Sequence, residues 1–354
     1  MNDRGLLGAA FRTASFGLSV LAAVTANHAS AYCRMTTQGG PQIGDAACVE
    51  KGEPLFWTNP CLSYAVDSRG SQWFENPDGT PNLAEIESLV DRSFAAWQDA
   101  DCGDGTPGLV FKPLQASTCR RAEFNTSGNV NTIAFLDPWK DPCADAEDPG
   151  YDGFAFAVTV VWFNEKTGEI LDADMMINDQ LASRSGAGGP YADCPDEGCP
   201  AGSPGVADIR SIVTHEAGHF IGIGHCVASN PNDPNDPCVS ATMYSMAERI
   251  SVDKRTLAAD DIDAVCTIYP PSDIGQSCNA APTCGLQLNC ETNDQGEPLV
   301  CSASPGSAAK CGSDTSSGCS ATRTPGDSPW ASLLVSLIGL TVWRRRSARR
   351  DARS

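Results

Sequence analysis

Residues 215–225 read HEAGHFIGIGH, and the placement of histidine in this short run governs how the rest of the chain is read. His215 and His219 stand four positions apart, so on a helix both imidazoles project from one face and can take adjacent corners of a coordination tetrahedron. Gly222 falls where such a helix must stop and turn, a backbone that often needs positive φ, which glycine adopts at least cost. The turn then brings His225 back toward the first two. Three neutral imidazoles leave the fourth position of a tetrahedral zinc to water, the mark of an open metal site. Glu216, next to the first ligand, is placed to accept a proton from water that the ion acidifies. The chain holds four histidines; His28 lies in the opening segment and the other three all fall at ligand positions. Histidines serving as ordinary core or surface residues would not concentrate in this way.

Outward from this run, the pattern of apolar residues predicts three helices separated by short β-rich segments. The first helix opens at Asn82 with Glu85 three positions on, a capping pair, and sets Ile86, Leu89, Val90, Phe94 and Trp97 on one face. The second, which carries the histidines, is predicted to start near Ser203 and Pro204. The third runs from about Ala258 to Tyr269, with Ile262, Val265 and Ile268 inward and Asp260, Asp261 and Asp263 in its first turns, where the helix dipole favours anions. Strands are predicted over residues 62–66, 109–114, 132–136, 154–163 and 169–177, each bounded by Gly, Pro, Asp or Asn.

The run H-E-x-x-H-x-x-G-x-x-H at 215–225 resembles that of metzincin metalloproteases, and Met243, 18 positions after His225, corresponds to the methionine those proteins carry beneath the metal. Met246 is a weaker rival. Tyr244 directly after Met243, the segment 168–178 (GEILDADMMIN), the helix from Ile86 to Trp97 and the last helix to Pro270 are similar to matrixins in particular. The resemblance implies an α+β fold with a twisted, mostly parallel five-stranded sheet and three helices. It implies one catalytic Zn(2+) held by His215, His219 and His225, Glu216 as general base, Met243 in the turn below, and hydrolysis of protein or peptide substrates. It also implies that residues 154–163 form the edge strand to which an extended peptide adds, with a side-chain pocket between the metal helix and residues 244–250. The second zinc that matrixins often bind has no histidine left to hold it. The prodomain motif of matrixins is absent, and Cys33 beside Arg34 reads as a disulfide partner. The interval from His225 to Met243 is longer than usual and reads as a loop closed by Cys226 and Cys238, in which Asp233 and Asp236 could take Ca(2+) or simply stay solvated. The competing class is a silent fold relative serving as an adhesion module, which would keep the ligands but ordinarily lose Glu216.

The ends of the chain read as processing segments around this domain. Residues 1–31 pair early arginines with an apolar stretch and Ala29-Ser30-Ala31, the form of a signal peptide. Residues 32–52 make a short lead-in, 53–270 the domain itself, and 271–319 a Cys-rich module. Residues 320–354 hold a thin apolar span between Trp330 and Trp343 followed by an arginine cluster. Cys319, span and arginines resemble the C-terminal sorting signals of myxobacterial surface proteins. That likeness implies export to the surface of a Gram-negative bacterium, with membrane contact through the tail before processing. All 17 cysteines follow residue 31, which suits an oxidising exterior. Residues 1–31 sum to +1 and 320–354 to +5, which leaves −26 on the rest of a chain of net charge −20. So acidic a body disfavours nucleic acid as a partner and suits a soluble monomer.

Overall fold

The computed structural model describes residues 32–39, 48–49, 51–117, 120–124, 130–142, 147–181, 191–200, 207–246, 251–272 and 331–339. All five expected strands form: β1 (Cys61–Val66), β2 (Val110–Pro113), β3 (Thr132–Leu136), β4 (Ala155–Asn164) and β5 (Ile170–Asn178). Their order is β2-β1-β3-β5-β4, parallel except for β4, so the mostly parallel five-stranded sheet is present. A small ribbon pairs β6 (Tyr191–Ala192) with β7 (Ala207–Asp208). The sequence places β4 at the edge of the sheet; the structure instead pairs its far side with an antiparallel strand β8 (Ala331–Gly339). An uncovered strand leaves a row of backbone N–H and C=O groups unpaired, and β8 supplies partners for them from the same chain.

The three helices are α1 (Leu83–Gln98), α2 (Ile209–Phe220) and α3 (Ala259–Ile268). Helix α1 starts at the predicted cap: Asn82 accepts from the Glu85 N–H and donates to the Glu85 carboxylate, and the five predicted apolar residues are buried. The start of α2 is corrected. Residues 207–208 are extended in β7 and Asp208 is the cap, its carboxylate accepting from Ser211 N at 2.8 Å, whereas Ser203 and Pro204 lie outside the described residues. An Asp at this position bonds the orphan N–H groups of the first turn directly, which outweighs the helix-starting preference of proline. In α3 the inward face is Asp261, Ala264 and Val265, while Ile262 and Ile268 are only half-buried.

Alternation along β4 and β5 divides the sheet into two apolar layers. Ala157, Val161, Ala173, Met175 and Ile177 face α1 and α2, while Val158, Val160 and Met176 join Leu136 and Trp139 on the other side. On the helix side the ring of Phe94 stacks on Tyr64 and meets Phe111 and Phe220 edge-on. Trp97 crosses from α1 to donate to the Thr214 carbonyl at 2.7 Å, and Trp57 donates to that of Phe220 at 2.8 Å. These two indoles fix α2 against its neighbours along its length. Disulfides join Cys33–Cys48, Cys102–Cys266, Cys194–Cys199 and Cys226–Cys238, so the paired reading of Cys33 and the closed loop at 226–238 are both present. The segments read as signal peptide and Cys-rich module lie outside the described residues, apart from 271–272, as does the tail except for β8. Among the described residues no helix is long and apolar enough to cross a membrane.

One ion pair anchors the start of α2. The Arg255 guanidinium donates to both oxygens of Asp208, to Asp193 at 3.1 Å and to the Cys194 carbonyl at 2.5 Å. The Asp208 side chain is fully buried and that of Arg255 is 7 % exposed. Removing one member of a buried pair strands the other charge. Arg255→Met is expected to lower unfolding stability by roughly 3 kcal/mol, read from urea denaturation of the disulfide-intact protein.

Candidate metal centre

Helix α2 ends in a turn that the sequence of 218–224 dictates. Gly222 takes φ of 89°, its N–H bonds the His219 carbonyl at 2.9 Å, and the Ile223 N–H bonds that of Gly218 at 3.0 Å. This is the Schellman arrangement, and it requires a residue without Cβ: a Cβ on Gly222 would lie 2.6 Å from the Leu55 oxygen. The reversal swings the Ile223 carbonyl to within 2.7 Å of His219 Nδ1. On the other side of the helix, the Thr242 carbonyl meets His215 Nδ1 at 2.6 Å. A carbonyl can only accept, so each Nδ1 carries the proton and each Nε2 keeps its lone pair.

Those lone pairs converge. His225 Nε2 lies 3.1 Å from Nε2 of His219 and 3.1 Å from that of His215, and all three residues are buried. Burial, foremost, holds the imidazoles of His215 and His219 well below their ordinary pKa; His219 and Lys254 act the same way on His215, and His225 and Lys254 on His219. The rings are thus neutral, as ligation requires. His215, His219 and His225 form a group that could hold a metal ion. Among the described residues one other such group exists, Cys226, Cys238 and Asp260, but its two sulfurs are joined to each other. Asp233 and Asp236 instead close turns: Asp236 accepts from Asn230 N and Cys238 N, and Asp233 from Asn235 N. Among the described residues neither joins a converging group of ligand-type side chains.

No family model and no curated protein matches the chain.

Glu216 is wholly buried, and its two oxygens differ. The Thr159 hydroxyl of β4 donates to Oε2 at 2.6 Å, while Oε1 has no hydrogen-bond partner among the described residues. Burial pushes this carboxyl up to about 8, with the Thr159 bond pulling the other way. A buried carboxylate oxygen left unpaired costs free energy, and raised carboxyl pKa values cluster at functional sites. Met243 is wholly buried beneath the helix, and Met246 is half-buried. The Cys226 N–H bonds the Met243 carbonyl at 2.9 Å, which ties the residue after the third histidine to that turn.

Four residues of the centre escape a reading of the sequence. Thr159 and Lys254 carry no signal that separates them from any strand threonine or surface lysine. Asp261 resembles a dipole-favouring residue of the first turn, yet it is buried and accepts from the N–H groups of Thr242 and Met243. Gly218 did leave a sign, since glycine inside a helix costs about 1 kcal/mol relative to alanine and calls for a packing reason. That reason is Met243: a Cβ on Gly218 would lie 2.2 Å from its Sδ and 2.7 Å from Trp97 Cζ2. Gly218→Ala is therefore expected to destabilise the fold by about 1–2 kcal/mol despite its better helix propensity, since overpacking costs about 1–3 kcal/mol. Thermal unfolding with and without added zinc checks this; a rise in Tm in both would contradict it.

Proposed function

We propose that the chain is a zinc-dependent endopeptidase, similar to matrixin-type metzincins, with Glu216 as its general base. The observation that carries this reading is the convergence of three buried Nε2 atoms around one point, with the unpaired Glu216 Oε1 on the residue beside the first ligand. The donor set fits zinc. With Zn–N of about 2.0–2.1 Å the corners of a tetrahedron stand roughly 3.3–3.4 Å apart, close to the 3.1 Å separations. Three imidazoles, with no fourth side-chain ligand grouped with them among the described residues, leave a position for water. When bound, the ion would supply Lewis acidity toward water and a peptide carbonyl and would draw Glu216 toward its ionised form.

The remaining work falls to the chain's own residues. Thr159 fixes Oε2 of Glu216, so Oε1 is the oxygen that takes the proton from water and later gives it to the departing amide nitrogen. His215 and His219 stay in one tautomer because their Nδ1 protons are committed to the Thr242 and Ile223 carbonyls. Packing of α2 against α1 and β4 excludes water from behind the carboxylate.

Glu216→Gln keeps the side-chain shape and removes the base. It is expected to lower kcat/KM on a mixed peptide library by about 10²–10⁴-fold while zinc content per chain, measured by mass spectrometry, stays at the wild-type level. Equal cleavage by the variant, or none by fully zinc-loaded wild type, would overturn the reading; the second outcome would favour a silent binding module.

Substrate access involves β4. Thr159, which touches Glu216, stands opposite Ser336 of β8, so the stretch of β4 nearest the base is paired within the chain. An extended peptide could add to β4 by backbone pairing only after β8 leaves. A chain ending at Pro329 is expected to cleave the library several-fold faster than the full chain at equal zinc loading. Equal rates would show that peptide does not enter along β4.

A further inference from the structure

The His215 ring is aimed by one carbonyl oxygen, that of Thr242, and Lys254 is bonded to the same atom. An ammonium has three N–H groups and no acceptor. Here Lys254 Nζ finds three carbonyls on a single turn: Ala241 at 3.2 Å, Thr242 at 2.8 Å and Tyr244 at 2.6 Å. It also lies 5.8 Å from the centroid of the Tyr244 ring. The opposite side of the turn is gripped by Asp261, whose carboxylate accepts from Thr242 N at 2.7 Å, Met243 N at 3.0 Å and Ala258 N at 2.8 Å. A cation thus holds the carbonyls of residues 241, 242 and 244, and an anion holds the N–H groups of residues 242 and 243. Burial lowers the Lys254 ammonium to about 7, with Asp261 opposing that fall.

We propose that Lys254 is a positioning residue of the metal centre: it pins the Thr242 carbonyl so that His215 presents Nε2 to the ion. The proposal rests on the zinc reading above. Both lone pairs of the Thr242 oxygen are used, one by His215 Nδ1 and one by Lys254 Nζ. Without the ammonium three carbonyls lose charge-assisted donors at once, and the turn can rotate to seek others. The oxygen that aims His215 then moves with it. Lys254 sits 12 residues beyond Thr242, on the single 3-10 turn Asp253–Arg255. Its neighbour Arg255 holds the Asp208 cap of α2, so this one turn steadies the metal helix at its start and the histidine-aiming carbonyl beyond it.

The test compares wild type, Lys254→Met and Lys254→Arg as full chains. Zinc dissociation constants are measured by chelator competition, and the visible absorption bands are recorded after cobalt(II) replaces zinc. Lys254→Met is expected to bind zinc at least about tenfold more weakly and to show altered cobalt bands, while Lys254→Arg, which keeps a cation and several donors, recovers part of both. If the methionine variant does not fold, Lys254→Gln, with two amide donors, takes its place. Wild-type zinc affinity and cobalt bands in the folded Met or Gln variant, even with a lowered Tm, would show that Lys254 only braces the turn and would overturn the proposal. Wild type that takes up neither metal would bring down the zinc reading itself, which separates the two failures.

Discussion

The Nε2 atoms of three buried imidazoles approach to 3.1 Å, and His215 and His219 both turn an Nε2 lone pair toward the shared point. The surrounding fold has to hold them there. Two carbonyls fix the tautomer and tilt of His215 and His219, the glycine turn at 222 returns the chain, and a backbone bond from Cys226 to Met243 anchors the residue after His225. Each of these supports is itself buried and hydrogen-bonded. Preorganisation of this kind places its cost in folding, so a metal ion would find its ligands already aimed.

That cost is met from several directions. Trp57 and Trp97 grip α2 through its carbonyls, and the rings of Phe94 and Phe220 fill the space beneath it. The disulfide between Cys102 and Cys266 closes a separation of 164 residues and ties the region after α1 to α3. In the chain-entropy account, a loop of that length is worth about 5 kcal/mol. The turn at 241–244 has no regular secondary structure to hold it, and it is held instead by Lys254 and Asp261 acting on opposite sets of backbone dipoles.

The pairing of β8 with β4 gives the sheet a second role. A strand with one side open is a structural edge and a template on which an extended chain can pair, and here the chain's own segment fills that side of β4. Thr159 connects the sheet to the histidine group, since its backbone lies in β4 and its hydroxyl holds Oε2 of Glu216.

Much of this was legible in the sequence because it is local. The i, i+4 spacing of His215 and His219, the Asn82 and Glu85 cap, the apolar face of α1 and the glycine at 222 all involve contacts a few residues apart, and short-range geometry translates directly into residue spacing. Tertiary structure alone decided the rest. Thr159 reaches Glu216 across 57 positions, Asp261 reaches Thr242 across 19, and β8 joins the sheet from beyond residue 330. A threonine, a lysine or an aspartate in these places looks like any solvated residue until folding brings a partner to it, because hydrogen bonds depend on distance in space and leave no periodicity along the chain.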